Sequence, residues 1–179
     1  MQQRTAPLNA VRLGRRAAFR AAAGTTVALT LAGLGAGPGA AQTTRIRWDI
    51  IGRASARSAN GVRMTLIGSG TFVPGAPLDV TGGGPFSVAT QEGDLIFEGS
   101  YQVTELLYWQ EDEGGGGSSR AGLAILRIAY PGGAQGILVV SCMFAGTNPG
   151  VFEGVIATHT SVTFYGVEPS EGTLFRVVP

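Results

Sequence analysis

An all-β fold is the class this sequence predicts, and three observations carry it. Glycine is abundant, at 29 of 179 residues, and past residue 44 no run of helix-favouring residues occurs. Short stretches rich in Val, Ile, Leu, Phe, Tyr and Thr are separated by clusters of Gly, Pro, Asn and Asp, the punctuation of strands and turns. Inside those stretches apolar and polar residues alternate with a period of two. Eight strands emerge, which suits an antiparallel eight-stranded barrel, with a two-sheet β-sandwich as the alternative.

Residues 1–41 stand apart from this domain. Arg4, Arg12, Arg15, Arg16 and Arg20 are basic, no acid precedes Asp49, and 21–44 is uncharged with a modestly apolar centre. Small residues at 37–41 then offer a peptidase site, with the expected cut between Ala41 and Gln42. A positive start, an apolar middle and a small-residue end are the parts of a secretory signal. Within it, Gly14-Arg15-Arg16-Ala17-Ala18-Phe19-Arg20 resembles the twin-arginine signal family, which implies export to the periplasm or beyond. A general secretory signal and an uncleaved anchor are the alternatives. The Gly and Thr content makes the apolar stretch a poor membrane span, so no stable anchor is expected after cleavage.

Without the leader the charge changes sign. The chain has no lysine and 13 arginines; five lie in the leader, leaving eight against 12 acids, a net charge near −4 over residues 42–179. Nucleic acid is therefore not an expected partner, because phosphate binding needs clustered positive charge. The 138 remaining residues suffice for one domain with one core.

The strands are expected at 45–51, 62–73, 85–90, 95–109, 121–130, 137–144, 151–165 and 173–178. In the first, Ile46, Trp48 and Ile50 share a face opposite Arg45, Arg47 and Asp49. In the second, Val62, Met64, Leu66 and Phe72 oppose Arg63, Thr65, Ser69 and Thr71; in the fourth, Leu95, Phe97, Tyr101, Val103, Leu107 and Trp109 oppose Glu98, Ser100, Gln102 and Thr104. The acidic, glycine-rich stretch 111–119 reads as a flexible tether, without the ligand spacing of a calcium loop.

The hairpin 121–144, from Ala121 to Phe144, is apolar on both faces, which predicts a second cover: a flanking loop, or another copy in a homo-oligomer. In 151–165, Phe152, Ile156, Val162 and Phe164 form the more apolar parity and are expected inward. That places Glu153 and His159 outward.

Asp79-Val80-Thr81-Gly82-Gly83-Gly84-Pro85-Phe86 and Ile96-Phe97-Glu98-Gly99-Ser100-Tyr101-Gln102-Val103 are similar to one continuous segment of the allene oxide cyclase and dirigent-type barrels. Here residues 87–95 separate the two halves. The resemblance implies an eight-stranded barrel, often trimeric, with an apolar cavity for a small hydrophobic ligand. It assigns no catalytic residue to this chain.

One histidine and one cysteine cannot form the ligand sets that zinc or copper favour, so no metal or other cofactor is expected. Cys142 shares parity with Leu138, Val140 and Phe144 and reads as an inert core thiol. No serine lies in a G-x-S-x-G elbow. The one acid on an apolar parity is Glu105, beside Tyr101, Val103 and Leu107. An inward carboxylate there would be a candidate general acid, whereas a strand bend at Thr104 would leave it in a rim turn. Three functions stay open. A ligand-binding barrel would line its cavity with Trp48, Phe97, Tyr101 and Phe164. A cofactor-free isomerase or cyclase would add Glu105, and a structural module would have a filled interior.

Overall fold

A computed structural model of the chain describes residues 44–146, 151–169 and 172–179. The leader at 1–41 and its expected cut at Ala41 lie outside the described residues. Ten strands and one 3-10 turn follow in chain order: β1 (Arg45–Arg57), β2 (Arg63–Val73), β3 (Ala76–Ala89), β4 (Leu95–Asp112), β5 (Ser119–Ala129), the turn (Pro131–Gly133), β6 (Gln135–Cys142), β7 (Gly154–His159), β8 (Val162–Phe164), β9 (Gly166–Val167) and β10 (Thr173–Val178).

Every strand pairing is antiparallel, and six strands close a ring in the order β1-β2-β3-β4-β5-β10. β10 runs along β1 from Arg45↔Val178 to Ile50↔Thr173 and meets the start of β5 at Phe175↔Arg120. The rest of β5 pairs with β6, which continues into β7 and β8, while β9 adds to the end of β1. The fold is thus an all-β barrel, closed by six strands rather than eight, with four strands outside the ring. The strand count grew because 151–165 is broken by turns and a further short strand follows it.

The ring and the strands outside it share one dense core. Trp48, Phe72, Tyr101, Phe164 and Phe175 are fully buried with Met64, Leu66, Leu126, Ile128, Leu138 and Val140. Phe72, Trp109 and Phe175 pack as one aromatic cluster, with centroids 4.7–6.3 Å apart. Burial of this apolar surface is the main force holding the barrel, at roughly 1.5–3 kcal/mol per large side chain.

Glycines make room for the two largest fully buried rings. β3 begins at Ala76, earlier than the expected 85, because the stretch 76–84 runs as strand and not as turn. A Cβ on Gly82, at φ +118°, would lie 2.8 Å from Cζ2 of Trp48 and 2.3 Å from the Ser69 carbonyl oxygen. A Cβ on Gly68 would lie 2.2 Å from the Tyr101 hydroxyl, which donates to the Ile67 carbonyl at 3.2 Å. The wall of β2 and β3 therefore sits directly on Trp48 and Tyr101. The two halves of the glycine-rich resemblance lie here on neighbouring strands, joined by pairs such as Gly84↔Tyr101 and Phe86↔Gly99.

Candidate functional site

The organising feature is the sole histidine, and the structure turns it around. Val155 and Ala157 in β7 are fully buried, and His159 follows them on the same parity; Phe152 and Ile156 are only half-buried. The expectation that His159 points outward is corrected. A two-residue turn, Thr160-Ser161, joins β7 to β8, pairing His159↔Val162 and Ala157↔Phe164. Paired residues of antiparallel strands share a face, so the turn puts His159 on the side of Ala157 and Phe164. Its own partner Val162, expected inward, lies on that side too but is 40% exposed at the end of the hairpin. Read as one unbroken strand, positions 159 and 164 fall on opposite faces. Phe164 is buried as expected, and Thr160 carries the positive φ of +52° that the turn requires.

His159 lands at the rim of the barrel among aromatic rings from three other segments. Its centroid is 4.6 Å from Tyr130, which follows β5, 5.0 Å from Phe97 of β4, and 6.3 Å from Phe86 of β3. Phe86 in turn packs edge-on against Tyr130 at 4.9 Å and Phe97 at 5.8 Å. The Tyr130 hydroxyl donates to the Thr158 carbonyl at 2.8 Å, which fixes its ring against β7. Together with Pro131 and Glu98 these residues line an open pocket of about 200 Å³. A second groove of about 380 Å³ shares Phe86 and Glu98 with it and runs over Thr65 and Ser87 to Arg53.

The other expected site residues fall elsewhere. Trp48, Tyr101 and Phe164 lie in the packed core, and neither of these hollows touches them. Trp48 Nε1 has no hydrogen-bond partner there among the described residues. Of the expected lining only Phe97 reaches the pocket. Glu105 is not on the inward face. Register breaks between Val103 and Glu105 and again between Leu106 and Tyr108 shift β4 against β5, so Leu106 is buried while Leu107 is exposed. Glu105 then sits opposite Arg127 and pairs with its Nε at 2.7 Å on the half-exposed outer face. The general-acid role that rested on inward placement loses its geometric basis. Glu105→Gln is expected to lower stability by less than about 1 kcal/mol in urea unfolding, as for a partly exposed ion pair.

Glu153 is not free on the surface either. One carboxylate oxygen accepts from the Met143 amide at 2.8 Å; the other accepts from the Thr173 amide and, at 2.7 Å, from the Thr173 hydroxyl. The side chain ties the exit of β6 and the entry of β7 to the start of β10.

Three neutral acids are buried in this fold. Burial pushes the Cys142 thiol up from 9.0 to about 11, with the Glu153 carboxylate adding to it and bonds to Phe175 and Thr173 pulling part of the way back. Burial raises the phenols of Tyr101 and Tyr130 as well, and the neighbouring Tyr130 raises Tyr101 further. The native state keeps these protons to a higher pH than the unfolded chain, so stability is full below about pH 9 and falls as pH rises toward about 11. Thermal unfolding by circular dichroism across pH 8–11 is expected to show that decline. A flat profile would contradict the buried, neutral state of these groups.

Among the described residues no group of three His, Cys, Asp or Glu side chains converges as a metal site would. Comparison with family models, with curated proteins and with solved structures gives no match. The rim pocket is therefore read from its own chemistry. It offers an apolar, aromatic enclosure, one imidazole and one carboxylate. Sequence reasoning missed Phe86, Tyr130 and Pro131 as its walls. The signal that would have found them is the polar pair Thr160-Ser161 directly after His159, a turn that interrupts the strand run.

Proposed function

We propose that this is an exported barrel domain that binds a small, largely apolar molecule, and that it does so at the rim pocket. The observation that supports this most is the convergence of Phe86, Phe97, Tyr130 and His159 from four separate segments on one hollow. Concave, aromatic-lined sites with a few polar groups are how proteins hold small ligands. At about 200 Å³ the pocket suits a single ring or a short branched group. Native mass spectrometry of protein purified from its own host is expected to show a retained small molecule, lost in Phe97→Ala. Ligand-free protein that also fails to take up any aryl compound would count against the reading.

A second reading, association of copies of this chain, is favoured by one row of side chains on the outer wall. Tyr108, Ile125, Val139 and Ile156 are consecutive register partners across β4, β5, β6 and β7. Three are half-buried and Tyr108 is 49% exposed. The expected hairpin 121–144 thus presents an apolar stripe outward, and such stripes are commonly covered by another subunit. Val139→Glu is expected to convert an oligomer to monomer in light scattering. A wild-type chain that is monomeric at high concentration removes this reading.

A further inference from the structure

The charge pattern around the rim pocket says more about its ligand than its shape does. Glu98 stands next to Phe97 in β4 and lines both the rim pocket and the adjoining groove. It is exposed, and it has neither an ion-pair nor a hydrogen-bond partner among the described residues. That sets it apart from Asp49, Asp79, Glu105, Glu111 and Glu168, each of which is paired with an arginine. The rings beside it meet at 34–75°, mostly edge to face. Phe86 and Tyr130 are buried while Phe97 and His159 are half-buried, so Phe97 offers the most ring surface to a ligand. Aromatic faces carry the negative part of the ring quadrupole and attract cations within about 6 Å. An unpaired carboxylate beside such rings adds attraction of the same sign.

We propose that the ligand of the rim pocket is a small organic cation, an ammonium group carrying methyl or aryl substituents, held between the Phe86, Phe97 and Tyr130 rings and the Glu98 carboxylate. The apolar substituents fill the hollow while the charge stays at its mouth, facing Glu98 and water. Arg53, at the far end of the adjoining groove, is the opposing charge that such a ligand must avoid. This proposal rests on the rim pocket being the binding site, and the test separates the two.

His159 is the chain's only histidine, so its imidazole protons give an isolated proton NMR signal inside the pocket. That signal is followed while the folded domain is titrated with phenethylammonium, 2-phenylethanol and phenylacetate, which share one ring and differ in charge. The expected order is cation, then alcohol, then anion, with the cation roughly three- to tenfold tighter than the alcohol, the size of an exposed cation–π contact plus one surface charge pair. In Glu98→Gln the alcohol should bind as before and the advantage of the cation should shrink to the ring contribution alone, about two- to fivefold. Equal binding of cation and alcohol to the unaltered chain would overturn the proposal and leave the pocket standing. Tightest binding of phenylacetate would overturn it in favour of Arg53, and a cation preference undiminished in Glu98→Gln would overturn the role given to Glu98. If no compound moves the His159 signal, the pocket reading itself fails.

Discussion

Replacing Gly82 by alanine is expected to destabilise the barrel by about 3 kcal/mol or more, the sum of a backbone cost and an overpacking cost. At φ +118° an L-residue is strained whatever surrounds it. The added methyl would also meet the Ser69 carbonyl at 2.3 Å, Cα of Gly70 at 2.6 Å and the Trp48 ring at 2.8 Å. Two of these three neighbours are backbone, and the third is the largest side chain in the core, so none yields cheaply. Gly75 supplies the control. It too has a positive φ, +81°, but a Cβ there meets nothing within 4 Å, so Gly75→Ala should cost only the backbone part, about 1 kcal/mol. Urea unfolding followed by tryptophan fluorescence compares the two directly. Equal losses would mean that β3 does not lie against Trp48.

Glu153 is the second position where a large effect is expected. Both Glu153→Ala and Glu153→Gln should lower stability by about 2–4 kcal/mol, because hydrogen bonds to a charged acceptor contribute about 1.5–3 kcal/mol and an orphaned amide costs more. Thr173 is 5% exposed, so water cannot readily replace the carboxylate oxygen at its amide. Glutamine does not rescue, since its amide nitrogen would face the Met143 or the Thr173 N–H, donor against donor. The measurement is the urea midpoint of both variants. A glutamine variant as stable as the parent would show that Glu153 is a surface acid and not the link between β6, β7 and β10.

The strands themselves were legible because alternation is a local property. Ile46, Trp48 and Ile50 face inward as read, and so do Met64, Leu66 and Phe72. Closure into a barrel was one of two readings, and what decides for it is the contact of β10 with both β1 and β5, a pairing over 50 or more residues that alternation does not encode. The misreadings have one physical origin. A face assignment is carried along a strand only while the register holds, and a bulge or turn inverts everything beyond it. The bulges in β4 took Glu105 out of the interior, and the turn at Thr160-Ser161 brought His159 in. The outward placement of His159 was the error; for Glu105 the register break beside Thr104 decides between the inward face and a strand irregularity in favour of the second. Phe86 and Tyr130 were legible as core residues, yet their meeting with His159 depends on where β3, β5 and β7 end, which no local pattern reports.

His159 faces into an aromatic rim pocket, and proton NMR tests that placement directly. Its two carbon-bound imidazole protons can be observed without assignment of other side chains, because the chain has no second histidine. Nuclear Overhauser contacts from those protons are expected to the ring protons of Tyr130 and Phe97, whose centroids lie 4.6 and 5.0 Å away. Loss of the corresponding contact in Phe97→Leu and in Tyr130→Leu would identify each partner. An imidazole that shows no aromatic contacts in the unaltered chain would put His159 back on the outer face and contradict the account.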